Sequence, residues 1–297
     1  MFLPNLKHLR YLIALYQEQN FHRAASACFV SQSTLSSAIL KLEEQLNCQL
    51  IERDNKSFLF TTQGIEVVEK SRQLLVSANE LVSFAKQQGS EYTGTVRIGC
   101  IPTIAPFLLT DFVRACQSKL PDLALFLRED TTENLMNMLN NGEIDVLILA
   151  LPIAVNNFHC RLVGKDRFFM AGNKTLVETF QQTDSYKHLP EQSIFLLSSE
   201  HCLTEHALSA CKLADKSRIH SFSASSLSTL VQMTAFHQGF TFLPEMAVKK
   251  NIGENEGLTI APLDQDYYRE IGVLWRKTSM RNVLYNQLSA VITDLLI

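Results

Sequence analysis

Several absences narrow what this chain can be. Its longest apolar run, Val146 to Val155, is ten residues and is broken by Pro152. A membrane-crossing helix needs about 20, so the run reads as a buried strand and no membrane partner is expected. Only 11 glycines and 8 prolines stand among 297 residues, and charged residues are 19% against 46% hydrophobic, which excludes collagen, low complexity and disorder. No glycine-rich loop is present to cradle phosphates. The eight histidines are scattered, and His201-Cys202 with Cys211 lacks zinc-ligand spacing and carboxylate support. Neither a metal nor a cofactor is expected. The first twenty residues set Asn, Lys, His and Arg among their apolar positions, leaving no uninterrupted core for an export signal; a cytoplasmic location is expected. Cysteine numbers seven (Cys28, Cys48, Cys100, Cys116, Cys160, Cys202, Cys211). That odd count, without an export signal, does not read as a disulfide framework, and most of these thiols should be small buried hydrophobes. A net charge of −3 gives no general pull on nucleic acid, although it can hide a local basic face.

What the chain does contain is most specific at its start. Leu6, Leu9, Leu12, Ile13 and Tyr16 recur at helical spacing. Asn20 can cap a short helix over Phe21–Cys28, and Ser31 a third running to about Leu46. On the third helix Leu35, Ile39, Leu42 and Leu46 point inward, leaving Gln32, Ser33, Thr34, Ser36, Ser37 and Lys41 on the open side. Two short helices with a tight turn, the second opening on hydrogen-bonding side chains, form a helix-turn-helix pattern. Gln can pair with adenine, while Ser and Thr reach bases or phosphates. Arg53-Asp54-Asn55-Lys56, between Leu50-Ile51 and Phe58-Leu59-Phe60, reads as a hairpin tip carrying two cations toward a nucleic-acid backbone. An ordinary three-helix bundle with a polar outer face would show much of the same pattern.

The stretch Phe21-His22-Arg23-Ala24-Ala25 … Val30-Ser31-Gln32-Ser33-Thr34-Leu35-Ser36 … Ile39 … Lys41-Leu42-Glu43 … Leu50-Ile51-Glu52-Arg53 … Thr61 … Gly64 closely resembles the DNA-binding domain of LysR-type transcriptional regulators. It departs from that pattern at Ser33, where Pro is common, and at Ala38 and Leu40, where Gln and Arg are. The resemblance implies an all-α winged helix-turn-helix over 1–60, with operator contacts from Arg23, Ser31, Gln32, Ser33, Thr34, Ser36, Lys41, Arg53 and Lys56. It also implies double-stranded operator DNA and RNA polymerase as partners.

From Thr62 to about Gln88 the sequence is helical, with Val68, Leu75 and Val82 seven apart, Ser71, Ala78 and Ala85 three residues on, and Val67, Leu74 and Leu81 widening the stripe. This heptad pattern suits a partner helix, although packing on its own chain fits as well. The family resemblance implies a linker helix over 61–90 pairing two chains through Val68, Leu75 and Val82, in a homodimer or homotetramer. Gln88-Gly89-Ser90 then marks a boundary.

Beyond it strands and helices alternate: strand 95–101, helix 106–120, strand 124–128, helix 132–141, strand 145–151, and so on to a final amphipathic stretch over 280–295. This predicts a parallel, doubly wound α/β sheet, whose ligands bind at strand carboxyl ends; Thr103 and Thr132 are so placed. The resemblance implies an effector domain over 91–297, built of two Rossmann-like subdomains like those of periplasmic binding proteins. The first would span about 92–164 plus 268–297 and the second about 165–267.

The segment Glu200-His201-Cys202-Leu203-Thr204-Glu205 … Cys211 leaves two readings open. Cys202 and Cys211 can be inert core thiols, or Cys202, at the start of a helix, can be held as thiolate by the helix dipole and a protonated His201. Together with Ile101-Pro102-Thr103 and Gly239-Phe240-Thr241-Phe242-Leu243-Pro244, the segment resembles the hydrogen-peroxide sensors of the LysR family. It departs at Glu200, where Gly is usual, and at Thr204, often Arg. That resemblance implies that Cys202 reacts with hydrogen peroxide and Cys211 resolves it to a disulfide. Thr103, Thr132 and His201 would line the pocket, Arg269 would stabilise the thiolate, and glutaredoxin or thioredoxin would reduce the bond. The expected function is a peroxide-responsive gene activator that is not an enzyme. The alternatives are a LysR-type regulator answering a small-molecule ligand with structural cysteines, and a thiol peroxidase.

Overall fold

The computed structural model describes residues 3–54, 57–86, 92–155, 157–183, 185–200, 203–205, 216–253, 256–263 and 267–296. The chain forms two compact units, Met1–Gln88 and Gly89–Ile297. No described helix is long and apolar enough to cross a membrane.

The first unit contains α1 (Leu6–Glu18), α2 (Phe21–Ala27), α3 (Gln32–Leu46), β1 (Ile51–Arg53), β2 (Phe58–Phe60) and α4 (Thr62–Lys86). The three short helices begin where a side-chain oxygen takes up an otherwise unpaired backbone amide. Asn5 Oδ1 accepts from Lys7 N at 2.9 Å, Asn20 Oδ1 from Arg23 N at 3.0 Å, and Ser31 Oγ from Thr34 N at 3.1 Å. Their apolar faces close on one core that includes Leu12, Leu15, Ala24, Leu35, Ile39 and Leu42. Leu46, expected inside, is 36% exposed, because α3 ends there on left-handed Asn47 and its last turn overhangs the core.

The heptad stripe of α4 requires a larger correction. Val68 is fully buried in the core of its own unit, and Leu75 is half-buried against the same core. The first half of α4 packs on α1, so these positions are occupied within the chain. Among the described residues, the large apolar side chains left open on α4 are Ile65, Leu74, Leu81 and Val82. A wide stripe cannot declare which of its edges faces a partner.

The second unit is a mixed nine-stranded sheet covered by helices. Its elements are β3 (Gly94–Cys100), α5 (Ala105–Lys119), β4 (Leu123–Glu129), α6 (Thr132–Asn140), β5 (Val146–Leu151), β6 (Phe158–Gly172), α7 (Lys174–Thr183), β7 (Ile194–Leu197) and β8 (Ile219–Ala224). There follow α8 (Leu227–Phe236), β9 (Phe240–Pro244), α9 (Glu245–Val248), β10 (Thr259–Pro262), β11 (Tyr268–Arg276) and α10 (Asn282–Leu296). The strands lie in the order β4-β3-β5-β11-β6-β9-β7-β8, with β10 also on β6. The sheet is therefore not wholly parallel, as the alternation had suggested. β3 runs parallel to β4 and β5, and β7 parallel to β8 and β9, but β11 is antiparallel to both β5 and β6.

β6 carries the chain from one half of the sheet to the other and β11 carries it back. Residues 158–167 of β6 pair with β11, and 168–172 pair with β9 and β10. Each half has its own apolar core, one around Val96, Phe112, Leu147 and Ile292, the other around Phe168, Phe195, Leu230 and Phe242.

Gly64, in the first turn of α4, is fixed by packing rather than by backbone conformation. A Cβ there would overlap the carbonyl oxygen of Leu50, which already accepts from Thr61 N at 3.0 Å. Gly64→Ala is expected to destabilise the first unit by about 2 kcal/mol or more, a fall of roughly 10 °C in Tm. A thermal melt unchanged within 2–3 °C (about 0.5 kcal/mol) would show that α4 can slide away at no cost.

Candidate functional site

On the first unit the polar side of α3 borders a groove of about 690 Å³ lined by Asn20, His22, Gln32, Ser36, Arg53 and Phe58 among others. Arg53 does not extend freely into it. Its guanidinium donates to Ser36 Oγ at 3.3 Å, lies 3.7 Å from Glu43 Oε2 and sits over the Phe21 ring at 5.7 Å. Glu43 does more than balance that charge. Its Oε1 accepts from Leu50 N at 2.8 Å and Ile51 N at 3.0 Å, so one carboxylate fastens the β1–β2 hairpin to α3. The family pattern quoted Glu43 but gave it no role; an acid spaced seven from an amide is invisible without the fold.

Other expected DNA contacts fall as follows. Ser31 Oγ shares hydrogen bonds with Ser33 Oγ at 2.9 Å and Thr34 Oγ1 at 2.7 Å, a hydroxyl cluster on the first turn of α3. Gln32 and Lys41 are exposed and Ser36 is half-buried. Arg23 turns back to the end of α1, 3.3 Å from Glu18 Oε2, and also donates to the Glu18 carbonyl. Lys56 lies outside the described residues.

In the second unit the structure brings together Thr103 and Arg269, which the sequence placed 166 residues apart. Arg269 is 1% exposed. It donates from Nη1 to Thr103 Oγ1 at 2.7 Å and from Nη2 to the Thr103 carbonyl at 2.9 Å. Its Nε and Nη2 both lie 2.9 Å from Asp166 Oδ2, and Asp166 is buried as deeply. Asp166 Oδ1 in turn accepts from Met246 N at 3.0 Å. The register of β11 on β6 sets Arg269 opposite Asp166. Asp166 was not anticipated from sequence, since a single acid in a half-polar strand carries no signal of its own.

Because Thr103 Oγ1 accepts the Arg269 hydrogen, its own hydroxyl hydrogen remains available to donate. Thr132 opens α6, capped by Thr131. It lies three residues beyond Glu129, which pairs with Cys100, so Thr103 and Thr132 follow neighbouring strand ends. His201, Cys202 and Cys211 lie outside the described residues. Just after Cys202, Leu203 is buried in the second core and Thr204 Oγ1 donates to the Leu197 carbonyl at 2.8 Å.

Four of the described thiols, Cys28, Cys100, Cys116 and Cys160, are ill suited to reaction at neutral pH. Burial, assisted by Glu129 and opposed by Arg269, raises the Cys100 thiol far above its ordinary range, and burial pushes Cys116 up to about 11. Desolvation also raises Cys28 and Cys160. Among the described residues no group of three or more His, Cys, Asp or Glu is arranged to hold a metal.

Two outcomes are expected. Asp166→Ala leaves a buried guanidinium without its counter-charge and should cost about 3–5 kcal/mol, read as a lower denaturant midpoint; a midpoint equal to wild type would mean that water reaches Arg269. In the native protein at pH 7, Cys100 and Cys116 should resist iodoacetamide. A raised folded pKa stabilises fully below the unfolded value of 9.0 and is lost as pH climbs from there through about 11. Stability should therefore decline across that alkaline window, and rapid labelling of Cys116 at neutral pH would contradict its protection.

The comparisons with known proteins agree across both units. Residues 6–65 match the model for the bacterial regulatory helix-turn-helix protein, lysR family, and residues 89–296 match the LysR substrate binding domain. The chain is 34% identical to the hydrogen peroxide-inducible genes activator of Haemophilus influenzae, over 98% of this chain and 96% of that protein. It is also 34% identical to the HTH-type transcriptional regulator EstR of Acinetobacter baylyi, over 93% and 92%. Among solved structures, the regulatory domain of a variant OxyR2 from Vibrio vulnificus is 48% identical at a TM-score of 0.66, covering 71% of this chain and 99% of that one. A full-length variant of OxyR from Pseudomonas aeruginosa is 26% identical at a TM-score of 0.70, covering 99% and 98%. With a helix-turn-helix unit and an α/β unit that both match, the chain belongs to the LysR family of bacterial DNA-binding transcriptional regulators.

Proposed function

We propose that this regulator responds to hydrogen peroxide through Cys202 and Cys211. The observation that carries the reading is the 48% identity of its α/β unit to an OxyR2 regulatory domain, joined to the His201-Cys202-Leu203 … Cys211 element of the sequence. The Cys202 thiolate attacks one peroxide oxygen, the O–O bond breaks, and the departing hydroxide takes a proton to leave as water. Cys202 is then a sulfenic acid. Cys211 attacks that sulfur, the S–O bond breaks, a second water leaves, and a disulfide remains. Glutaredoxin or thioredoxin would supply the two electrons that restore both thiols.

Thr103 and Thr132 would donate to the peroxide oxygens, and His201 would favour the thiolate. Arg269, bound to Asp166 and Thr103, would act on the thiolate through Thr103 rather than by direct contact. Nine residue steps on a continuous helix rise about 13.5 Å, whereas a disulfide needs Cα atoms within about 7 Å. A helix running unbroken between the two cysteines would have to open for the bond to form, and that movement would alter the spacing of paired DNA-binding units on the operator and their contact with RNA polymerase. The pairing face of α4 would be Leu74, Leu81 and Val82, which its own core leaves open.

A second reading, a LysR-type regulator answering a small-molecule ligand with structural cysteines, is favoured by the equal identity to EstR. Mass spectrometry after brief exposure of the full chain to peroxide separates the two. Wild type should show a Cys202–Cys211 bond, Cys202→Ser should show none while still binding DNA, and Cys211→Ser should hold a sulfenate trapped by dimedone. A wild-type protein whose two cysteines stay reduced under a molar excess of peroxide would overturn the redox reading in favour of the second.

A further inference from the structure

The exposed side of α3 is wider than the groove beside Arg53. At about 100° per residue, the buried Leu35, Ala38, Ile39 and Leu42 mark the inward direction. Gln32 and Ser36 then fall on one flank of the open side, and Thr34 and Lys41 fall on the other. The second flank has its own groove, of about 460 Å³, between the start of α1 and α3. Lys7, His8 and Tyr11 line it from α1, and Thr34, Ser37 and Lys41 from α3.

The two grooves differ in charge. The one beside Gln32 contains Asp54, and its Arg53 is paired with Glu43. No carboxylate lines the other. Lys7 and Lys41 are both exposed and take part in no ion pair among the described residues. Between them His8 stacks on Tyr11 at 6.5 Å between centroids, with its Nδ1 shut off from solvent and without a hydrogen-bond partner in the described structure. Burial, and after it the nearby Lys41, lower its pKa; only the Lys41 contribution reflects a neighbouring positive charge. Two uncompensated cations facing across a concave surface, with a hydroxyl beside them, suit a phosphodiester.

The major groove of B-DNA is about 12 Å wide and is edged by the phosphates of both strands. A helix about 10–12 Å across that enters it must meet one backbone on each flank. We infer that the groove between the start of α1 and α3 is a phosphate-binding site, in which Lys7 and Lys41 grip the DNA strand opposite the one approached by Gln32, Ser36 and Arg53. This rests on α3 being the helix that enters the major groove.

The test uses the full chain and a duplex that the wild-type protein enriches from a randomised pool. Binding is followed by fluorescence anisotropy over a series of salt concentrations. Lys7→Ala and Lys41→Ala should each flatten the slope of log K against log salt by about 0.9, and the double variant by about twice that. The loss should be the same on an unselected duplex, since phosphate contacts carry no sequence information. Lys41→Arg should retain the wild-type slope, and thermal melts should show all variants folded. If the double variant kept the full slope while Gln32→Ala still weakened the selected duplex, α3 would read DNA but the α1 groove would not hold a phosphate. A wild-type chain that enriched no duplex at all would remove this site together with the reading it rests on.

Discussion

The α/β unit depends on one buried ion pair. Moving a guanidinium and a carboxylate out of water costs several kcal/mol for each, and the cost is recovered only where geometry and additional hydrogen bonds are good. Arg269 and Asp166 meet that condition, because neighbouring antiparallel strands set them opposite each other and every contact serves a second purpose. Arg269 holds both the hydroxyl and the carbonyl of Thr103, in the loop after β3. Asp166 holds the amide that opens α9, in the other half of the unit. The pair thus ties together both connecting strands, a loop of the first half and a helix of the second. A charge pair satisfied in only one arrangement favours that arrangement over its neighbours more sharply than apolar packing does.

The DNA-binding unit repeats the device nearer the surface. Glu43 accepts two hairpin amides and faces Arg53, so the wing's position relative to α3 is set by one side chain that need not touch DNA itself. Ser31 serves similarly at the other end of α3, where its hydroxyl both caps the helix and organises Ser33 and Thr34. Direction and spacing of the polar face come from these residues, and chemistry from those they position.

How much of this was legible in the sequence varied with the range of the interaction. Asn20 and Ser31 were readable as caps because a short polar side chain before an apolar periodic run has one strong local use. Val146 to Leu151 was readable as a buried strand because five consecutive positions are fully enclosed. The first half of β6 was not, because its outward positions are exposed and only pairing with β11 makes it a strand. The same lack of local signal hid Asp166, whose partner is 103 residues away. Val68 was misplaced for a different reason: a heptad stripe looks alike whether it faces a partner or its own α1. Thr103 was found from its place after a strand, and Arg269 only through a family resemblance.

The path of β6 and β11 also bears on how such a chain can diversify. The half of the sheet between them leaves on one strand and returns on the strand beside it, so its two ends stand about 4.8 Å apart. A segment inserted across so short a gap can be exchanged or lengthened while the half that surrounds it keeps its core, its termini and its attachment to the helix-turn-helix. Recombination among relatives could therefore trade this inner half as a cassette, subject to one condition. The incoming piece must carry an acid at the position of Asp166, or the host's Arg269 is left as a buried charge with nothing to face.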